Sequence, residues 1–156
     1  MSILSEMSII LARTSQQKAA CYDLRHRVFV EEQGVPVELE IDENDETIAI
    51  HFLGVIEDRP VAAARICVFE DMAKIQRVVI DKRYRGRSLG RVLMLHLIAF
   101  AKDNQLAQTI GLDAQTYATG FYESLGFSKT GDVFDDAGID HIRMVMQANA
   151  DAVATD

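Results

Sequence analysis

An apolar run from Met72 to Ile80 leads into a short basic loop, and a long apolar periodic segment over residues 89–101 follows it. This order predicts a strand, a turn and a helix whose first turn begins at the loop. The loop therefore lies at a helix N-terminus, where unpaired N–H groups and the positive end of the helix dipole converge. An anion such as phosphate or pyrophosphate fits that environment.

The loop is strongly cationic in an otherwise acidic chain. Five of the 16 basic side chains lie within ten residues, although the formal net charge of the chain is −8. The five are Lys82, Arg83, Arg85, Arg87 and Arg91. A solvated, arginine-rich helix entry would also explain the cluster. Gly86 and Gly90 beside the helix start favour the anion site, because glycine lets backbone approach a ligand closely.

Composition and charge limit the class of protein. The 156 residues, 49% of them apolar, predict one compact domain over residues 1–156. The negative charge argues against general binding to nucleic acid or to anionic membranes. Cys21 and Cys67 lack metal-type spacing, so we expect no metal and a reduced, cytoplasmic setting. The N-terminus lacks a signal-peptide pattern, and the longest apolar stretch, residues 92–101, is too short to span a bilayer.

The hydrophobic pattern along the chain predicts a mixed α/β order. Strands are expected at residues 8–12, 47–57, 61–69, 72–80, 108–114, 127–130 and 141–146. Helices are expected from Thr14 or Ser15 to about Val30, over 89–101 and over 117–125. Residues 132–140 are predicted to form a polar turn and 148–156 a frayed tail. His96 falls on the apolar stripe of the central helix, so we expect it in the core.

Residues 38–46 form a strongly acidic stretch, Glu-Leu-Glu-Ile-Asp-Glu-Asn-Asp-Glu. A solvated loop or a short helix is the favoured interpretation. The alternative is a rim that attracts an amine, which would point to a cationic ligand.

Residues 85–90, 118–127 and 25–36 carry the most distinctive patterns of this chain. Together they resemble the GNAT superfamily of N-acetyltransferases. That family's acetyl-CoA signature, Arg/Gln-x-x-Gly-x-Gly/Ala, is matched by Arg85-Gly86-Arg87-Ser88-Leu89-Gly90, with Ser88 in place of the first signature glycine. Residues 118–127, Ala-Thr-Gly-Phe-Tyr-Glu-Ser-Leu-Gly-Phe, look like the family's A-x-x-F-Y-E-x-L-G-F segment. Residues 25–36, 113–115 and 138–144 resemble the small single-domain, ElaA-like branch. The likeness runs from about Arg25 to Met146.

The resemblance implies the GNAT fold, with a mixed, mostly antiparallel sheet of about six to seven strands, flanked by helices and splayed near the acetyl-CoA site. It implies acetyl-CoA as co-substrate, a small amine as acceptor, and a homodimer as an assembly common in the family. Backbone groups of Val78 and Ile80, with Val79 between them, would pair with the pantetheine arm. The residues implied for the pyrophosphate are Arg85, Gly86, Arg87, Ser88, Leu89 and Gly90.

The resemblance also implies catalytic roles for an amine that attacks a thioester. Tyr122 stands where the family places the acid that protonates the departing thiolate, and a phenol suits that task. The base is less defined. Glu32, near the implied acceptor wall, is the first candidate, and Glu31, His51 and His141 are the alternatives.

Three functions are compatible with these features. The favoured one is an acetyl-CoA-dependent N-acetyltransferase for a small amine or an amine-bearing metabolite. The second is a non-catalytic module that binds or senses acyl-CoA, although retention of Tyr122 favours the enzyme. The third is an acyltransferase like the acyl-homoserine lactone synthases, because Arg25-x-x-Val28-Phe29 resembles their start. That family lacks the glycine-containing loop that this chain has.

Overall fold

A computed structural model of the chain describes residues 6–148. The helices are α1 (Ser15–Arg25), α2 (Val37–Glu40), α3 (Asn44–Thr47), α4 (Leu89–Asp103) and α5 (Thr119–Ser124), with a π-helical turn at His26–Glu32 and 3₁₀ turns at Lys82–Tyr84 and Thr116–Ala118. The strands are β1 (Ser8–Leu11), β2 (Ile50–Ile56), β3 (Arg59–Phe69), β4 (Met72–Ile80), β5 (Thr109–Gln115), β6 (Ser128–Asp136) and β7 (Ile139–Gln147). The predicted tail lies outside the described residues except for Ala148, which is buried.

The described strands form one mixed sheet in the order β1-β2-β3-β4-β5-β7-β6. The β4–β5 pair is parallel, with a register that runs from Met72↔Thr109 to Lys74↔Gly111. The pairs β1–β2, β5–β7 and β6–β7 are antiparallel. The α/β fold class and the seven-stranded, open, mixed sheet are as predicted.

The described chain forms two compact units. The first unit contains the described residues up to Arg65 together with Arg77–His96. The second unit contains Ile66–Gln76 and the described residues from Leu97 onward. In the first unit, α1 begins as predicted, with Thr14 as its N-cap. The Thr14 hydroxyl accepts from the Gln17 amide at 3.0 Å, and the Gln17 side chain accepts from the Thr14 amide at 3.0 Å. This reciprocal capping box fixes where the helix starts.

The core of the first unit is apolar and comes from α1, the π-helical turn and three strands. Its buried members are Ala12, Cys21, Leu24, Val28, Leu53, Ala63 and Val79. The predicted helix does not stay α-helical to Val30, because it widens into the π-helical turn after Arg25. Gly34 follows the end of this turn at φ +75°, a left-handed backbone that glycine adopts at little cost.

In the second unit, β5 pairs with β7 along its whole length, from Thr109↔Gln147 to Gln115↔His141. The prediction of a polar turn over residues 132–140 is wrong, because β6 continues to Asp136 and β7 begins at Ile139. Every residue of β6 is exposed. The strand therefore has no buried face that would require apolar and polar residues to alternate in its sequence. Its register with β7 also shifts between Thr130 and Phe134, which disrupts the period further.

The helix α4 buries only part of the apolar stripe that the sequence predicted. Its buried side chains are Leu93, Met94, Leu97, Ile98 and Ala101. His96 is exposed rather than in the core, and Val92 and Leu95 are exposed as well. The predicted stripe also carries Leu93 and Leu97, which are buried, so the prediction is right for these two residues and wrong for Val92 and His96. No helix within residues 6–148 is both long and apolar enough to cross a membrane.

Candidate active site

The basic loop joins β4 to α4 within the first unit, and Asp81 organises its start. The buried Asp81 carboxylate accepts from the Arg83 amide at 2.9 Å, which caps the 3₁₀ turn Lys82–Tyr84. It also pairs with the guanidinium groups of Arg83 and Arg27, the latter at 2.9 Å. Burial alone would raise the pKa of Asp81, but these hydrogen bonds from Arg83 and Arg27 outweigh it and hold the pKa at about 2.

The backbone of the loop is left-handed at two positions. Gly86 has φ +82°, and Ser88 has φ +62° although it is not a glycine. The carbonyl of Ser88 accepts from the Val92 amide at 3.2 Å, the first turn of the 15-residue helix α4. The amides of the preceding helical residues have no intrahelical acceptor, so they face the loop. The position where the GNAT signature has glycine therefore needs the backbone that glycine adopts most easily.

Two predicted site residues contact each other directly. The Arg85 guanidinium donates to both carboxylate oxygens of Glu32, at 2.8 and 3.2 Å. Its Nε donates to the carbonyl of Ile80 at 3.0 Å. Arg85 thus joins the proposed pyrophosphate loop to the end of the π-helical turn. It also occupies one lone pair of a carbonyl that the resemblance assigns to the pantetheine arm.

The remaining cations of the loop are arranged in different ways. The Arg87 guanidinium lies over the ring of Tyr84, 5.1 Å from the ring centroid. Arg83 is bound to Asp81, as described above. Arg87 and Lys82 are both exposed. The loop can therefore offer positive charge to an anion without first breaking every ion pair that it makes.

The end of β4, which carries Val78, Val79 and Ile80, follows a backbone irregularity. Arg77 has φ +57°, a left-handed value inside a strand. Such a residue interrupts the regular pleat, and we refer to this left-handed position in the strand as the bulge of β4. Val79 is buried in the core of the first unit, whereas Val78 and Ile80 are partly exposed.

Tyr122 lies on α5 in the second unit. Its ring makes edge contacts with Phe121 and Phe127, at centroid distances of 5.1 and 6.2 Å. Burial raises the pKa of Tyr122 above its usual 10, and the neighbouring Tyr117 adds to the effect. The phenol therefore stays protonated at neutral pH and can act as a proton donor.

The alternative bases differ in their surroundings. Glu31 is exposed, and its carboxylate lies 3.2 Å from Nδ1 of His26, whose side chain is partly exposed. His51 is buried: its Nε2 bonds with the carbonyl of Asp45 at 2.8 Å, and Tyr22 contacts its ring edge-on. Burial lowers the pKa of His51, which favours the neutral imidazole. His141 lies on β7, with its ring stacked on Phe134.

The largest feature that the sequence analysis missed is a buried charge cluster in the first unit. Arg25 bonds to Glu40 at 2.7 Å and to Asp45 at 2.6 and 3.0 Å. Arg65 bonds to Asp45 at 2.7 Å and bidentately to Asp42 at 2.8 and 2.9 Å. Arg25, Arg65, Glu40 and Asp45 are each at most 2% exposed. We refer to the six residues Arg25, Arg65, Arg77, Glu40, Asp42 and Asp45 as the charge cluster.

The charge cluster changes the interpretation of the acidic stretch at 38–46. The prediction of short helices there is confirmed by α2 and α3, but the prediction of solvated carboxylates is wrong for Glu40 and Asp45. Arginines neutralise those carboxylates instead. The apolar side chains of the segment point outward: Val37, Leu39, Ile41 and Ile48 are 43–55% exposed. The segment therefore buries charged side chains and exposes apolar ones, the opposite of an ordinary surface helix.

The two cysteines are buried, and two of the ElaA-like segments are joined by an ion pair. Cys21 and Cys67 are buried, and burial raises the pKa of Cys21 to about 11, as an inert thiol requires. Asp113 of β5 and Arg143 of β7 are cross-strand partners and form an ion pair. Lys74 also bonds to Asp113, at 2.8 Å. Within residues 6–148, no group of three or more His, Cys, Asp or Glu side chains could hold a metal ion.

The chain belongs to the GNAT acetyltransferases, since residues 11–148 match the Acetyltransferase (GNAT) domain family. It is 34% identical to the uncharacterized N-acetyltransferase YjcF of Bacillus subtilis over 140 residues, which is 89% of this chain and 99% of that protein. It is 33% identical to protein ElaA of Escherichia coli over 147 residues, 92% of each chain.

Solved structures agree with this assignment. The crystal structure of Escherichia coli ElaA matches with a TM-score of 0.81 at 31% identity, over 91% of this chain and 99% of that one. An acyl-CoA N-acyltransferase from Pseudomonas aeruginosa matches with a TM-score of 0.82 at 27% identity, with the same coverage. The AHL synthase LasI has a TM-score of 0.74 at 16% identity, a likeness of fold alone.

Proposed function

We propose that this protein is an acetyl-CoA-dependent N-acetyltransferase that acetylates a small molecule or metabolite bearing an amine. Its family is that of acetyltransferases, which makes acyl transfer from a CoA thioester the general chemistry. The observation that carries the proposal is the backbone of the basic loop. The left-handed Ser88 opens a 15-residue helix at the position of the glycine in the acetyl-CoA signature.

The donor would be held by backbone and charge. A diphosphate at the start of α4 would accept from the amides of residues 87–90 and would be attracted by Arg85 and Arg87. The β4–β5 register runs from Met72↔Thr109 to Lys74↔Gly111, and the pantetheine arm would pair with β4 beyond it, at Val78 to Ile80. The Ile80 carbonyl already accepts from Arg85, so we assign the pantetheine pairing mainly to Val78 and to the Ile80 amide.

The reaction would be a direct attack. The neutral amine adds to the thioester carbonyl, the C–S bond breaks, an amide forms, and the amine loses a proton to a base while the thiolate gains one from an acid. We propose Tyr122 as the acid, because burial keeps its phenol protonated. We propose Glu32 as the base or as the carboxylate that takes the amine proton through water. It can do so only after Arg85 turns from Glu32 towards an anion.

The acceptor side favours an amine with an apolar body. In the sequence alone, a rim that attracts a cationic amine was the alternative interpretation of the acidic residues 38–46, and a solvated segment was the favoured one. Three arginines bind the inner carboxylates of this segment, whereas Leu39, Ile41 and Val37 are exposed. A hydrophobic amine would bury these side chains at a gain of about 25 cal/mol per Å² of apolar surface removed from water.

A thiol-release assay with acetyl-CoA and a panel of amines tests the proposal. Amine-dependent release of CoA, together with a mass increase of one acetyl group in the amine, would support an N-acetyltransferase. Tight binding of acetyl-CoA without release across apolar amines, polyamines, amino acids and peptides would instead favour the non-catalytic acyl-CoA-binding module. No measurable binding of acetyl-CoA would contradict both functions.

A further inference from the structure

The bulge in β4 is held by a side chain rather than by the backbone alone. Arg77 adopts φ +57°, which non-glycine residues seldom adopt, and arginine has no side-chain geometry that favours it. A bulky residue persists in such a conformation only where its surroundings hold it there. The relevant surroundings are the contacts of its guanidinium.

Those contacts all lie on the segment α2 to α3. The Nε of Arg77 donates to the carbonyl of Glu40 at 3.0 Å, and its Nη2 donates to the carbonyl of Leu39 at 3.2 Å. The same guanidinium lies 3.1 Å from the Glu40 carboxylate and 3.5 Å from that of Asp42. Because α2 has only four residues, its last carbonyls have no intrahelical donors, and Arg77 supplies them.

The other end of the segment is fixed to the same cluster. Arg25 donates to the carbonyl of Glu40 at 2.8 Å, so this oxygen accepts from two arginines. Arg65 and Arg25 share the Asp45 carboxylate, which also accepts from the Asp42 amide at 3.1 Å. Arg25, Arg65 and Arg77 thereby balance Glu40, Asp42 and Asp45. The segment is attached by buried ion pairs, while its apolar side chains remain exposed.

Arg77 is also adjacent to the strand end proposed for the donor. Val78, Val79 and Ile80 follow it directly in β4. A movement of the bulge changes the direction of these backbone groups, and a movement of α2 is transmitted to the bulge through two hydrogen bonds. One side chain therefore links the strand that would hold acetyl-CoA to the segment that would face the amine.

We propose that Arg77 is a positioning residue that couples the donor strand at residues 78–80 to the acceptor-side segment at residues 37–47. The proposal rests on the proposed function, since it requires that acetyl-CoA binds along β4. It makes the two sites interdependent: an occupied donor strand holds the bulge, the bulge holds α2, and α2 presents its exposed apolar side chains in a fixed place.

Hydrogen exchange with and without saturating acetyl-CoA tests this coupling in the full-length chain. In the wild type, acetyl-CoA should slow the exchange of amides in residues 78–90 and also in residues 37–47. In Arg77→Met, which keeps an aliphatic stem without donors, protection should persist at 78–90 and disappear at 37–47. Arg77→Gly should behave alike, because glycine adopts the left-handed backbone but cannot bind α2. Arg59→Met, at an exposed arginine of β3, is the matched control and should resemble the wild type.

Steady-state kinetics supply a second measurement. Coupling free energies between sites commonly correspond to a factor of roughly 5–150 in affinity. The KM for the amine should therefore rise at least about fivefold in Arg77→Met, with a smaller change in kcat, and Arg59→Met should leave both unchanged. A purely structural role would instead lower the amount of active enzyme, which reduces kcat without changing KM.

The outcomes separate this proposal from the proposed function. If the wild type binds acetyl-CoA but shows no protection at residues 37–47, the coupling is wrong and the proposed function is unaffected. Equal protection at 37–47 in the wild type and in Arg77→Met also overturns it. Should neither Arg77 variant fold, the wild-type exchange measurement still decides. A wild type that fails to bind acetyl-CoA overturns both proposals together.

Discussion

Both carboxylate oxygens of Glu32 accept hydrogen bonds from the guanidinium of Arg85, at 2.8 and 3.2 Å. Glu32 is the last residue of the π-helical turn, and Arg85 follows the 3₁₀ turn of the basic loop. The pair is partly exposed, so its own contribution to stability is small, typically about 0–1 kcal/mol. If the diphosphate of acetyl-CoA binds Arg85 as we propose, it must compete with Glu32 and would release that carboxylate.

Replacement of Glu32 by glutamine should separate a role as proton acceptor from a role as the partner that holds Arg85. If Glu32 takes the amine proton, kcat should fall by about 10²–10⁴-fold, while the Kd for acetyl-CoA stays the same or tightens because Arg85 loses its competitor. Isothermal titration with acetyl-CoA and the thiol-release assay measure the two quantities. Glu31→Gln is the matched control and should leave kcat near the wild-type value. Weaker acetyl-CoA binding with an unchanged kcat would show that Glu32 only holds Arg85.

Removal of the hydroxyl in Tyr122→Phe should slow the chemical step. The ring and its contacts with Phe121 and Phe127 remain, so the Kd for acetyl-CoA should change little. The departing thiolate would lose its proton donor, a loss of about 10²–10⁴-fold in kcat, with the low end expected if water substitutes. Tyr117→Phe, at a tyrosine that is 81% exposed, is the control. Near-normal kcat in Tyr122→Phe, with chemistry rate-limiting, would contradict the assignment and make His141 the next candidate.

The same residue leads to a prediction for pH. Burial raises the pKa of Tyr122 above 10, so its proton is retained until the pH exceeds that value. The acid form should therefore be present throughout the range of an ordinary assay. In a profile of kcat against pH from 6 to 9.5, loss of the Tyr122 proton should cause no decrease in the wild-type kcat. The wild type and Tyr122→Phe should therefore have profiles of the same shape on the alkaline side. Such a decrease below pH 9.5 would mean that the phenol is more acidic than its environment implies.

Substitution of Ser88 by glycine tests the backbone of the basic loop. The left-handed conformation costs a non-glycine residue about 1–2 kcal/mol, whereas glycine adds only about 0.5–1 kcal/mol of entropy to the unfolded chain. Ser88→Gly should therefore raise the free energy of unfolding by up to about 1 kcal/mol and keep acetyl-CoA binding. Ser128→Gly, in the exposed strand β6, lacks the positive φ and should destabilise the protein instead. Urea unfolding of both variants distinguishes them, and a destabilised Ser88→Gly would contradict the prediction.

The sequence predicted those parts of the fold that depend on local patterns. The strand from Met72 to Ile80 has the predicted bounds, and α4 begins at Leu89 as predicted, because an apolar run and a glycine-containing turn mark both ends. The capping box at Thr14 and Gln17 is a local signal of the same kind. The burial of α4 was predicted only in part, since the four consecutive apolar residues at 92–95 do not determine which of them pack into the core.

The site was harder to predict because its contacts join distant positions. Arg85 and Glu32 are 53 residues apart, and Arg25 is 15 and 20 residues from Glu40 and Asp45. The acidic stretch therefore looked solvated, whereas its buried carboxylates are bound by arginines from other elements. One signal was available in the sequence: apolar and acidic residues alternate at 37–41. If one side of this segment is buried, the alternation leaves either its apolar or its acidic side chains in the interior.

Acid should destabilise the protein through the charge cluster. Burial alone would raise the pKa of Asp45, but hydrogen bonds from Arg25 and Arg65 hold it at about 2. A carboxyl whose pKa is lower in the folded state than the usual 3.8 stabilises the fold above about pH 4, and this contribution is lost as the pH falls from 4 to 2. Each group like Asp45 or Asp81 contributes about 2 kcal/mol in this way.

Urea midpoints measured at pH 6, 4, 3 and 2 test this expectation. The wild type should lose stability mainly below pH 4, and Asp45→Asn should show a shallower loss because one linked proton is removed. At pH 6 the same variant should be less stable by about 3–5 kcal/mol, since it leaves buried arginines without a charged partner. Asp58→Asn, in the exposed β2–β3 turn, should match the wild type at every pH. An Asp45→Asn variant with the wild-type pH profile would rule out this source of acid sensitivity.

The exposed apolar side chains of residues 37–48 lead to a prediction about the acceptor. If they contact the amine substrate, kcat/KM should be higher for phenethylamine or hexylamine than for spermidine, although spermidine carries more positive charge. Leu39→Asn should remove most of this preference: loss of roughly 60–100 Å² of buried apolar contact corresponds to about 2 kcal/mol, or about 30-fold in kcat/KM. Leu95→Asn, at an exposed leucine of α4, is the control and should leave the preference unchanged. A higher kcat/KM for spermidine, unaffected by Leu39→Asn, would return the acceptor to the cationic class that the acidic sequence first suggested.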